Sequence, residues 1–165
     1  MKKIFILLVV LITLVGCTNV GGQRINNEER YQGLIEMLNE YENYAEKSNN
    51  FNIALDIASI NDGYRYYVTI DKPKIAMYDV EAIAIEKDVD YTNTMTASIG
   101  IFDESEYALV PNQKNTNKGY YEGIMMSGVS NSPEITLNVF VSYKNKDYSI
   151  NHTEYIVLSG KYEEQ

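Results

Sequence analysis

Ile135-Thr136-Leu137-Asn138-Val139-Phe140-Val141-Ser142-Tyr143 alternates with a period of two. Successive side chains of an extended chain point to opposite faces. Ile135, Leu137, Val139, Val141 and Tyr143 therefore share one apolar face, and Thr136, Asn138, Phe140 and Ser142 share the other. Phe140 breaks the pattern, being a large apolar group on the polar face. Either another element covers it, or it belongs to an exposed binding patch.

The same period recurs on both sides of this stretch. Ile53, Leu55 and Ile57 alternate with Ala54, Asp56 and Ala58, and Tyr66, Val68 and Ile70 alternate with Arg65, Tyr67 and Thr69. Further runs cover residues 80–86, 95–102, 120–129 and 148–158. Asn61-Asp62-Gly63, Asp71-Lys72-Pro73 and residues 143–147 read as turns. Seven strands at short spacing with no second helix predict a mainly β fold, an antiparallel β-sandwich over residues 51–160. In strand count and rhythm the region resembles an Ig-like domain. The chain has no Trp and one Cys, so the antibody-type core signature is absent, and a fibronectin type III-like or another bacterial Ig-like form is the closer resemblance.

Before the strands, residues 28–48 read as one amphipathic α-helix. Asn26 or Asn27 stands as a cap, and Glu28 and Glu29 sit where the helix dipole favours acids. Tyr31, Leu34, Leu38, Tyr41 and Ala45 recur at three and four residues, a stripe that packs against the strands or spans two heptads of a coiled coil. Gly33 inside costs up to ~1 kcal/mol relative to Ala, so packing must support the helix. A monomer is expected, with a helix-mediated dimer as the alternative.

The N-terminus supplies the location. Lys2 and Lys3 precede an apolar run, residues 4–15, that is too short to span a hydrocarbon core of ~30 Å as a helix. Leu14-Val15-Gly16-Cys17 closes it, and the whole resembles the signal peptide and lipobox of bacterial lipoproteins. That resemblance implies cleavage between Gly16 and Cys17, lipidation of Cys17, and a membrane held through the lipid on the extracytoplasmic face. Residues 1–16 are then a signal peptide and residues 17–27 a polar tether. The Asn-, Lys-, Ile- and Tyr-rich composition favours a Gram-positive host.

Removing residues 1–16 takes two lysines, so net charge goes from −9 to −11, with 12 basic against 23 acidic residues. A chain this acidic is repelled by nucleic acid, and its domain should stand off its own anionic membrane. With the one cysteine used by the anchor, no disulfide is available. His152 is the sole histidine and no nucleophile turn accompanies it, so no catalytic residue is expected. Asp88-Val89-Asp90 and Asp103-Glu104-Ser105-Glu106 match no calcium loop, and no metal or cofactor is expected. The 15 tyrosines are the compositional excess. Tyr64, Tyr66, Tyr67, Tyr78, Tyr91, Tyr107, Tyr120 and Tyr121 crowd strand ends and turns, where Tyr serves strand packing or recognition. Tyr67 and Phe140 are the candidate binding surface. The expected function is a non-enzymatic binding module at the cell envelope, its partner an envelope protein or small ligand. A ligand- or peptide-sequestering lipoprotein is the alternative.

Overall fold

A computed structural model describes residues 20–91 and 96–164, with side chains from Asn26 onward. Gly16, Cys17 and the signal segment lie outside the described residues, as does Met95. The fold is mainly β, with one helix at its N-terminal side, α1 (Val20–Glu40). The strands follow as β1 (Asn52–Ile60), β2 (Gly63–Asp71), β3 (Tyr78–Glu86), β4 (Ala97–Ile99), β5 (Ala108–Leu109), β6 (Tyr120–Tyr121), β7 (Gly123–Ser130), β8 (Glu134–Lys144) and β9 (Asn151–Lys161). They form a three-stranded antiparallel sheet ordered β1-β2-β7 and a four-stranded antiparallel sheet ordered β4-β3-β8-β9. A short parallel pair, β5-β6, sits apart.

The alternation of β8 explains the layering. Ile135, Leu137, Val139, Val141 and Tyr143 enter a core shared with Tyr66, Val68, Ile70, Ile124 and Met126 of the three-stranded sheet. Gly128 of β7 makes room there, because a Cβ at 128 would lie 2.2 Å from the Tyr66 hydroxyl oxygen. On the other face, Phe140 joins Ile83 and Ile85 beneath Tyr31, Ile35 and Leu38 of α1. The four-stranded sheet is thus buried on both faces. Phe140 is only 5% exposed, so it is a core residue and not part of a binding surface.

Helix α1 crosses this sheet. On the β4 side the Tyr31 hydroxyl accepts the Thr96 N–H at 2.7 Å, and its ring packs on Phe102 at 5.2 Å. Arg30 forms a two-pronged ion pair with Glu81 of β3. On the β9 side, just past the helix end, Tyr41 stacks on Tyr155 at 4.0 Å.

Both helix limits differ from the sequence expectation. The start lies ahead of Asn26, at Val20, so Asn26 and Asn27 stand inside the helix and not at its cap. Residues 20–25 are therefore helical and not an extended tether. The end comes at Glu40, well before Lys47, because distant side chains take a terminal carbonyl. The Leu38 carbonyl accepts the Tyr44 hydroxyl at 2.5 Å and the Asn138 amide at 3.4 Å. The chain then runs along β9, where Ala45 N–H donates to Tyr155 and Val157 N–H to Ala45, each at 2.9 Å. Tyr41 and Ala45 thus act beyond the helix.

Three of the expected strands also differ, and the run 120–129 divides into β6, paired with β5, and β7, paired with β2. β4 stops at Ile99 because Gly100 adopts φ +82°, where a Cβ would meet the Val80 carbonyl oxygen at 2.4 Å. The last strand begins at Asn151 and not at Tyr148. Asp147 accepts the Ser149 N–H at 3.1 Å and Asn145 accepts the Ile150 N–H at 3.1 Å, which holds residues 145–150 as a loop.

Burying Tyr31, Ile35 and Leu38 contributes roughly 1.5–3 kcal/mol each, enough for helix and sheets to melt together. Leu38→Asp should therefore destabilise the domain by about 4 kcal/mol, combining lost packing with a stranded charge. Glu40→Lys on the exposed face should change stability by less than about 0.5 kcal/mol. Thermal melts with sedimentation check this. A coiled-coil role instead predicts that Leu38→Asp dissolves a dimer and leaves the melting temperature unchanged.

Candidate functional site

Several connections leave the two sheets at one end: β2 to β3, the stretch before β5, the link from β5 through β6, and the β8–β9 loop. Their relative placement is set by backbone bonds. Met77 and Leu109 exchange N–H to carbonyl bonds at 2.9 Å, and Val80 N–H donates to Tyr107 at 2.9 Å. Ala108 pairs with Tyr120, and Tyr78 with Lys144 across a bulge at the start of β3.

This framework encloses a cleft of about 290 Å³ among Tyr78, Tyr120 and Tyr148, with Asp79, Glu106, Lys118 and Lys146 on its walls. The Tyr78 ring lies 6.5 Å from Tyr120 and 6.2 Å from Tyr148. Tyr148 is 46% exposed. Its hydroxyl donates to Glu106 at 2.8 Å, and the Lys144 ammonium lies 5.6 Å from its ring centre. Lys144 also pairs with Asp79 at 2.6 Å. Asp79 and Tyr148 both adopt positive φ, +48° and +60°, which side chains of this size rarely do. Such strain persists only where surrounding bonds hold it.

The charges respond to these contacts. The hydrogen bond to Glu106 holds the Tyr148 phenol in its protonated form and, with desolvation and the nearby carboxylates, pushes its pKa up to about 12. Asp79 raises the Lys144 ammonium by hydrogen bonding. Lys118 and Lys146 carry no ion pair among the described residues. The cleft thus offers three ring faces, an oriented carboxylate and two free ammonium groups. Beside it lies a wider polar cleft of about 720 Å³ between Asp71-Lys72-Pro73 and residues 110–114. The Lys114–Glu122 ion pair at 2.6 Å stands on its wall.

The tyrosines singled out by composition separate into four groups. Tyr66 and Tyr91 are core, with the Tyr91 hydroxyl accepting the Glu86 N–H at 2.8 Å. Tyr64 and Tyr107 pack against Tyr162 and Tyr121 at 5.5 and 5.2 Å. Tyr78 and Tyr120 line the cleft. Tyr67 lies at the centre of the outward face of the three-stranded sheet, opposite Asp56 and Ser127. It is half-buried and is not brought together with Phe140. Tyr148 was legible only as a strand residue. The Asn145, Asp147 and Ser149 side chains around it were the available turn signal.

His152 stacks on Tyr143 at 5.2 Å. The Tyr143 hydroxyl donates to Glu154 at 2.9 Å, and Asn50 bonds both. Asp103 accepts the Gly100 N–H at 2.7 Å and so closes a turn. Among the described residues no three His, Cys, Asp or Glu side chains converge as a metal site, and no helix is long and apolar enough to cross a membrane. Comparison of the chain with protein-family models, curated proteins and solved structures finds no match.

The Tyr148–Glu106 contact has a measurable signature. A tyrosine pKa raised on folding contributes stability fully below the ordinary value of 10.0, and that stability is lost as pH rises towards about 12. Phenolate absorbance should show Tyr148→Phe removing one proton release near pH 12. Glu106→Gln should move that release back towards pH 10. Unchanged titrations in both variants would rule the contact out in solution.

Proposed function

We propose that this chain is a lipid-anchored extracytoplasmic protein, held in the membrane through Cys17, whose domain is a non-enzymatic binding module at the cell envelope. The domain is read as an Ig-like β-sandwich of the fibronectin type III kind. Supporting that reading, β1, β2 and β7 make one sheet, and β3, β4, β8 and β9 make the other around a shared core.

The observation that carries a binding role is the Tyr78–Tyr120–Tyr148 cleft. Its backbone strain and its ion pairs hold ring faces and charges open at a loop end, where a rigid scaffold presents recognition groups. A cleft of about 290 Å³ also suits a small ligand or a peptide side chain, which favours a sequestering role as the second reading.

The anchor is tested by Cys17→Ser. Acylation and cleavage before residue 17 should both be lost, as seen in the mass of the N-terminal peptide. A wild-type protein whose mature N-terminus is unmodified and begins elsewhere contradicts the reading. For the binding role, a photo-crosslinker at Tyr120 should give defined adducts in cells, whereas one at Asp62, on the opposite end, should not. Equal yields from both positions would remove the cleft from consideration.

A further inference from the structure

Most of the large apolar side chains that stay exposed among the described residues stand in loops and turns. Met125 and Val129 do not: they lie on β7, at 57% and 52% exposure. Both are on the outward face of the three-stranded sheet, with exposed Ser127 between them, while Ile124, Met126 and Ser130 alternate into the interior.

β7 is also the last strand of its sheet. In an antiparallel ladder every second residue turns its N–H and carbonyl away from the one partner strand. Among the described residues no backbone bond meets those groups along 123–130. Native sheets blunt such an edge with lysine, proline or a bulge. Residues 123–130 hold no charged residue and no proline, and the β2–β7 register runs without a shift. The other edges differ. β1 carries Asp56 at its middle, so two copies paired there would bring carboxylates together. β4 has three residues. The outer edge of β9 is met by Ala45, which bonds to Tyr155 and Val157.

A chain of net charge −9 repels its own copies over most of its surface, and β7 is an edge where two copies can meet without opposing charges. Antiparallel pairing of β7 with itself about Ser127 sets Met125 opposite Val129 of the second copy, twice, on one face. We infer that β7 pairs with β7 of a second copy, joining two three-stranded sheets into one of six strands. The two-fold axis of such a pair stands perpendicular to the sheet, so both copies keep the same face up. α1 packs on the face of the four-stranded sheet that is turned away from the shared core, so both helices lie on one side of the dimer. A membrane holding Cys17 can then take both copies, at the raised effective concentration that a small edge interface needs. The helix stripe is not open for this role, since Tyr31 and Leu38 are buried.

Intact chain in detergent is followed by sedimentation equilibrium, and intact chain in vesicles is treated with a short thiol-to-thiol crosslinker. Wild type should sediment as a monomer–dimer equilibrium. Ser127→Lys places two ammonium groups on the axis and should weaken the dimer by roughly tenfold or more. Far-ultraviolet circular dichroism should not change, because residue 127 is exposed. In vesicles Ser127→Cys should crosslink to itself, and Met125→Cys mixed with Val129→Cys should give more product than either alone. Asp56→Cys should give no more than wild type, whose Cys17 sets the background. Wild type without a dimer in detergent, together with no crosslink at 127 in vesicles, overturns the inference. So does a dimer that withstands Ser127→Lys, or crosslinking at 56 equal to that at 127. Crosslinking of residue 127 in cells to a different protein, with none between copies, also overturns it and gives the edge to a foreign strand.

Discussion

The structure depends on the two-sided burial of β8. One face supplies the shared core of the two sheets, and the other must be kept dry because Phe140 lies there beside Ile83 and Ile85. A sheet with both faces apolar needs a third layer, and α1 is that layer. The helix in turn needs the sheet, since an isolated helix of this length with internal glycines is marginal in water. Its order therefore comes from Tyr31, Ile35 and Leu38 against the sheet, with Arg30 on Glu81 and the Thr96 N–H on Tyr31 fixing its crossing. Helix and sheet each complete the other.

A core closed in this way lets the loops carry strain. Tyr148 and Asp79 hold positive φ at the cleft end, where Glu106 and Lys144 bond to them. The opposite end is built from tight connections and carboxylates.

The fold class was legible because alternation is a local signal. The run 135–143 located the central strand, and the misplaced Phe140 called for either a cover or a binding partner; the stripe of Tyr31, Leu34 and Leu38 supplies the cover. The limits of α1 were hidden because Tyr44 and Asn138 close it from outside the helix, and such tertiary caps leave no trace in periodicity. The loop at Tyr148 was missed for the opposite reason. Tyrosine has high strand propensity, and that outweighed the Asn145, Asp147 and Ser149 turn chemistry around it. Of the candidate surface, Tyr67 lies on an outward sheet face and Phe140 in the core, because one-dimensional alternation assigns a face without saying what stands opposite.

Native-state hydrogen exchange tests the mutual dependence of helix and sheet most directly. The amides of residues 34–40 should exchange through the same global opening as those of residues 135–143, with equal protection and equal denaturant dependence. Fast, denaturant-independent exchange across 34–40 beside a protected β8 would contradict the account, because the sheet would then be holding its Phe140 face without the helix.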